Sequence, residues 1–156
     1  MHENHPNEGE QVIPTVAAVI FCDGKVLLVT HGEGSGHVNG VMGLPSGHVE
    51  DGEGELVAAI REIQEETGLL VDKSSIHEFE GNYFIAKILR KDGVTRTYGW
   101  RVYKVEDFEG KINEGSEEVI PQWVSIQEIT ALDAEGKLLP NVSTAINNAL
   151  KSKVTN

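Results

Sequence analysis

The chain has 156 residues, 39% of them hydrophobic and 24% charged, and 25 acidic against 13 basic side chains give a formal net charge of −12. That length suits one domain around one sizeable core, and no apolar run approaches the ~18 residues that a membrane span needs. The acidic balance argues against nucleic-acid binding by phosphate neutralisation, which needs clustered Lys and Arg, and it means that an anionic substrate would call for a bound cation to offset repulsion.

Residues 1–11 read as a mobile polar tail ahead of a domain over 12–154. The tail has neither the basic end nor the apolar stretch of a signal peptide. The single cysteine, Cys22, allows no intrachain disulfide, in keeping with a reducing cytoplasm. IPTVAAVIFC, β-branched and apolar, predicts a buried strand, Asp23-Gly24 a hairpin turn, and KVLLVTH its partner strand. GEGSGHVNGVMG is too rich in glycine for a regular element and reads as a surface loop; LPSGHVEDGEGE reads as a shaped loop leading into a helix. The helix is expected over Gly54 to Thr67, ended by Gly68. Leu56, Ile60 and Ile63 at i, i+4 and i+7 with Val57 beside them form its apolar side, and Glu62, Glu65 and Glu66 lie on the other with the small Ala58 and Ala59 nearby. SIHEFEGNYFIAKILR and VTRTYGWRVYKVEDF predict two long strands joined at Lys91-Asp92-Gly93, QWVSI a short strand, and IQEITAL and NVSTAINNALKS two closing helices. With no repeat and no linker, that order predicts a single-domain α/β fold, a mixed sheet with helices on its faces.

One segment resists a purely structural account. REIQEETG places three glutamates at i, i+3 and i+4, where like charges repel by a few tenths of a kcal/mol per pair. Taken alone, glutamates on an exposed helix face are most often simply solvated. The wider spacing says more. Gly47 is followed after five residues by Glu53, then after seven by Arg61-Glu62, Ile63, Glu65-Glu66, Gly68 and Leu69, which fixes nine positions in a window of 23 residues.

This window resembles the complete signature of the Nudix hydrolases, Gly-x5-Glu-x7-Arg-Glu-U-x-Glu-Glu-x-Gly-U with U aliphatic, and every specified position is filled. The resemblance implies an α/β/α sandwich and hydrolysis of the phosphoric anhydride in a nucleoside diphosphate linked to another moiety, such as a nucleotide sugar, an ADP-ribose-like compound or a dinucleotide. The alternative within the family is a sanitising (d)NTP pyrophosphatase. A non-catalytic nucleotide sensor is disfavoured by the intact box. The implied cofactor is Mg²⁺ or Mn²⁺, hard cations that prefer carboxylate oxygens. Binding such an ion would relieve the repulsion among the glutamates.

By the same resemblance Glu62, Glu65 and Glu66 are the metal ligands, with the main-chain carbonyl of Ser46 and the side chain of Glu117 as further candidates. Arg61 orients a glutamate. Gly47 lets the backbone approach metal and phosphates, Glu53 holds the loop against the helix, and Gly68 ends it. The general base is Glu62 or a carboxylate of the loop NEGSEEVIPQW, where Glu117, six residues before Trp123, leads Glu118, with Glu114 also present. The implied partner is a small nucleotide, without nucleic acid or membrane, in the cytoplasm; homodimerisation is left open. His31, His37 and His48 match no zinc spacing; His48 reads as structural and His37 as a loop residue or substrate contact. Tyr83, Phe84, Tyr98, Trp100, Tyr103 and Trp123 are expected mostly in the core, with one aromatic free to stack on a base. Arg96 and Arg101 could grip a phosphate or sugar but read first as solvated strand charges. Subgroup markers outside the box are absent, and none selects a substrate.

Overall fold

The structure, a computed structural model, describes residues 10–152. The predicted tail lies outside the described residues up to residue 9; Glu10 itself accepts a hydrogen bond from Thr97 and pairs with Lys87 at 3.7 Å. In chain order the elements are β1 (Val12–Cys22), β2 (Lys25–His31), β3 (Met42–Gly43), β4 (Ser46–His48), α1 (Glu55–Thr67), β5 (Ile76–His77), β6 (Tyr83–Leu89), β7 (Thr95–Val105), β8 (Val119–Ser125), α2 (Ile129–Ala134) and α3 (Val142–Lys151).

β1 organises the molecule. It runs parallel to β7 from Val12 to Ile20, antiparallel to β4 at Thr15–Ala17, and turns into β2 at Phe21 and Cys22. Asp23 and Gly24 both have positive φ, as a two-residue hairpin requires. Successive side chains of a strand point to opposite faces, and in β1 both faces are buried. Val16, Ala18 and Ile20 pack with Ala58, Ala59 and Ile63 of α1, whereas Ala17 and Val19 pack with Val142, Ala145, Ile146 and Ala149 of α3. The result is one mixed eight-stranded sheet between α1 on one face and α2 and α3 on the other, the expected α/β/α sandwich. Among the described residues no helix is long and apolar enough to cross a membrane.

Four expectations are corrected. Met42–Gly43 and Ser46–His48, read as loop, are short strands paired to β2 and β1. The first of the two long strands is broken: Gly81 takes a positive φ, and the side-chain amide of Asn82 donates to the Val102 carbonyl, separating β5 from β6. The inner face of α1 is Ala58, Ala59, Ile63 and Thr67, while Val57 is 48% exposed. Small side chains let the helix settle closely on β1 and β4, so its buried arc is centred nearer the alanines than the leucine and isoleucine spacing suggests. Finally, Trp123 is half-buried, stacked on Phe108, and Tyr83 is exposed beneath the Arg101 guanidinium. Tyr98, Trp100 and Tyr103 are buried as expected. Arg96 pairs with Asp92 at 2.8 Å on the surface.

Candidate active site

The site is built where α1 passes beneath β4. Gly68 ends the helix in the left-handed region at φ 85°, its N–H donating to the Gln64 carbonyl at 2.9 Å, and the Thr67 hydroxyl caps the Ile63 carbonyl at 2.6 Å. Glu62 and Glu66 thus sit on the last two turns of a firmly terminated helix.

The edge strand β4 presents main-chain groups to them. The Ala18 N–H donates to the Pro45 carbonyl and the Val49 N–H to the Pro14 carbonyl. Because ladder positions alternate in an antiparallel pair, Ser46 and His48 direct their N–H and C=O groups away from β1. The Ser46 N–H donates to Glu66 Oε1 at 2.7 Å, and the His48 carbonyl accepts from Arg61 Nη2 at 3.0 Å. The Ser46 carbonyl faces off the ladder by the same alternation. Gly47 lies directly on Glu62: a Cβ there would fall 2.0 Å from Glu62 Cδ, so only glycine leaves the carboxylate its place.

Arg61 ties the parts together. Its Nε and Nη2 form a two-pronged pair with Glu53 at 2.8 and 2.9 Å, and Nη1 reaches Glu62 at 2.8 Å and Glu65 at 3.2 Å. Such fork geometry is specific to arginine. Through it Arg61 joins Glu53 and the His48 carbonyl of the loop to α1 and contacts the Glu62 carboxylate. The Arg61 hydrogen bonds, with the Glu50 N–H, hold the Glu53 carboxyl down at about 2. Burial raises Glu62 despite Arg61. Glu66 is pushed up to about 8, first by burial and then by the neighbouring Glu62, Glu118 and Glu65, against the opposing Ser46 N–H.

Glu62 and Glu66 open on a cavity of about 530 Å³, within the range of small-molecule sites. Ser46, Gly47 and Glu118 line it too. Glu65 and Glu117 do not: the Glu65 side chain is 57% exposed on the Arg61 side, and the Cβ of Glu117 packs against Gly34. Glu62 and Glu66 thus face the cavity while Glu65 turns to Arg61, and the loop carboxylate that lines the cavity is Glu118. Among the described residues no group of three or more His, Cys, Asp or Glu is disposed to hold a metal ion; Arg61 engages Glu62 and Glu65, and the Ser46 N–H engages Glu66. The donor chemistry still fits a hard cation: two desolvated carboxylates, one with no cationic side chain on it, beside an outward-facing main-chain carbonyl.

Sequence reasoning gave no role to Arg90, which lines the same cavity with His31, His37, Tyr98 and Trp100. Its position after a strand and before a turn carries no signal of its own.

A NUDIX domain model matches residues 12–142, most of the chain and the whole of this site. The chain belongs to the Nudix family. It is 34% identical over 93 residues to the rat bis(5'-nucleosyl)-tetraphosphatase [asymmetrical], an alignment covering 56% of this chain and 58% of the rat enzyme. The Nudix hydrolase of Nitrosomonas europaea has a similar structure, with a TM-score of 0.63 and 30% identity over 88% of each chain. The Escherichia coli ORF135 protein gives 0.68 and 25% over 94% of each. A MutT protein of Methanosarcina mazei gives 0.73 at 21% identity over 92% of this chain and 96% of that one, a likeness of fold.

Proposed function

We propose that this Nudix protein hydrolyses the phosphoric anhydride of a nucleoside diphosphate derivative, with dinucleoside polyphosphates the first class to test because the rat relative carries that activity in its name. The observation that carries the reading is the placement of two desolvated glutamates, Glu62 against Gly47 and Glu66 on the Ser46 N–H, at the wall of a nucleotide-sized cavity in an acidic chain. Those two carboxylates and the Ser46 carbonyl would hold the divalent cation. Once bound, Mg²⁺ or Mn²⁺ offsets the diphosphate charge and acidifies or orients a water. The chain's own groups do the rest. Arg61 fixes Glu62, the Ser46 N–H fixes Glu66, and Glu118, exposed on the same cavity and free of ligand duty, takes the water proton.

The test is a screen of dinucleoside polyphosphates, nucleotide sugars and (d)NTPs with Mg²⁺ and Mn²⁺, scored by phosphate release after a coupled phosphatase. A preference for (d)NTPs would replace the first substrate class by the sanitising one. Excess EDTA is expected to abolish turnover, and either ion to restore it; full activity in metal-free buffer would sink the mechanism. Glu118→Gln is expected to lower kcat by about 10²-fold or more, the range for loss of a general base, with the metal concentration for half-maximal rate unchanged. Glu117→Gln should stay near the wild-type rate. The reverse pattern would return the role to Glu117.

A further inference from the structure

The cavity has a second end with different chemistry. The Arg90 guanidinium donates to the Tyr98 hydroxyl at 2.5 Å and to the Gly36 carbonyl at 3.1 Å, and Lys91 Nζ donates to the carbonyls of Gly32 and Glu33 at 3.1 and 2.9 Å. The turn after β6 thereby clasps the glycine-rich loop. Gly36 must be glycine for this, since a Cβ would fall 2.0 Å from Arg90 Nη2.

The clasp sets His37 beside His31, ring centroids 4.4 Å apart. Ser35 joins them: its hydroxyl accepts the His37 N–H at 3.1 Å and lies 2.8 Å from His31 Nδ1. His31 Nε2 and His37 Nδ1 are left buried with no hydrogen-bond partner, and among the described residues they are the buried side-chain polar atoms in that condition. Buried polar groups are nearly always satisfied, so a pair of orphans on two cavity-lining residues points to a partner supplied by the ligand.

The chemistry of that partner follows from the surroundings. Burial, with the positive neighbours Arg90 and Lys91 for His31 and with His31 and Arg90 for His37, holds the two rings down at about 4 and about 3. Both are neutral at physiological pH and so are poor anion receptors. Arg90, the permanent cation of the lining, is already spent on Tyr98 and Gly36. The floor is aromatic and closely packed: Tyr98 and Trp100 are each 3% exposed, with Ile88 beside them, and Tyr98 is already stacked on His48, ring centroids 6.0 Å apart, beneath the Arg90 guanidinium. Glu66 is faced by carboxylates, whereas both histidines are faced by Arg90 and His31 also by Lys91, so the two ends are electrostatically distinct. A flat, uncharged heterocycle with hydrogen-bonding edges suits this end, since its edge can bond to the two unpartnered neutral imidazoles beside an aromatic wall.

We propose that His37 and His31, over the floor of Tyr98 and Trp100, read the nucleobase of the substrate, so that base specificity resides in the glycine-rich loop while the glutamate end acts on the diphosphate. The proposal rests on the reading of the substrate as a nucleotide. It is tested without turnover. In a Trp123→Phe background Trp100 is the remaining tryptophan. Adenosine, guanosine, cytidine and uridine are titrated in EDTA, with ribose 5-phosphate and pyrophosphate as the other arms, following Trp100 fluorescence and the histidine ring nitrogens by ¹⁵N NMR. At least one nucleoside is expected to saturate both signals. His37→Ala should weaken it about tenfold, the worth of a hydrogen bond near 1.4 kcal/mol, and His37→Gln, which keeps a donor and an acceptor, should recover part of the loss. The proposal is overturned if no nucleoside moves either signal, if ribose 5-phosphate moves them equally, or if both His37 variants bind as wild type does. Nucleoside binding without any hydrolysis would remove the enzymatic reading and keep the subsite; hydrolysis without nucleoside binding would do the opposite.

Discussion

Glu66→Gln is expected to fold, to melt several degrees higher than the wild type in metal-free buffer at pH 8, and to lose at least the ~10²-fold in rate that damage to a metal site can cost. The two effects share a cause. Burial holds the Glu66 proton to about pH 8 where a free glutamate loses it near 4.5. The native state therefore binds this proton more tightly than the unfolded chain does, and stability falls as pH rises from 4.5 through 8, then levels. Glutamine keeps the shape, can accept the Ser46 N–H, and has no charge to desolvate, so its contribution is flat across that window. Below pH 4.5 the two proteins should melt alike. Adding Mg²⁺ should narrow the gap from the wild-type side, because a ligand that binds only the native state stabilises it. Denaturant or thermal unfolding against pH, with and without EDTA, measures the first effect and the hydrolysis assay the second. A variant that melts higher and still turns over near the wild-type rate would place the cation elsewhere.

The parts of the site legible in the sequence are those carried by one contiguous segment. The spacing from Gly47 to Leu69 reports the loop, α1 and its glycine stop, because each depends on local geometry that residue types reveal. What the sequence hid depends on pairing at a distance. β4 is three residues long and exists because Ala17 lies across from Ser46, 29 positions earlier; no propensity marks it. Apolar size puts the buried arc of α1 on the leucine and isoleucines, whereas fit against β1 and β4 favours the alanines, and that rotation brings Glu62 and Glu66 toward the sheet instead of out to solvent. The distance from Trp123 along the chain points to Glu117, whereas the fold puts Glu118 at the cavity wall. The register of β8 on β2, with Val119 opposite His31, and the bonds from Gly32 to Glu118 and from Gly34 to Glu117 decide which carboxylate meets the cavity. The contact of Arg90 with Gly36 joins segments 54 positions apart, and neither residue advertises it.

Gly47 gives the sharpest separation of stability from catalysis. Its backbone belongs to an extended strand and has no positive φ, so alanine can adopt it without strain. The clash is with the end of one side chain, Glu62, whose Cδ would lie 2.0 Å and whose oxygens 2.2 and 2.4 Å from the new Cβ. A flexible carboxylate yields before the sheet does. Gly47→Ala is therefore expected to melt within a few degrees of wild type and to lose about 10²-fold in kcat, as Glu62→Gln should. The double variant Gly47→Ala with Glu62→Gln should be no slower than Glu62→Gln alone, because both changes remove the same correctly placed carboxylate and such coupled changes do not add. Gly52→Ala supplies the opposite case. Gly52 has φ 78° and nothing within 4 Å of an added Cβ, so alanine there strains the backbone at a cost of about 1 kcal/mol and leaves the active site untouched. It should lower the melting temperature and keep the rate. If Gly47→Ala and Glu62→Gln instead multiply their losses, then glycine at position 47 serves the substrate or the cation directly and its role is more than making room for Glu62.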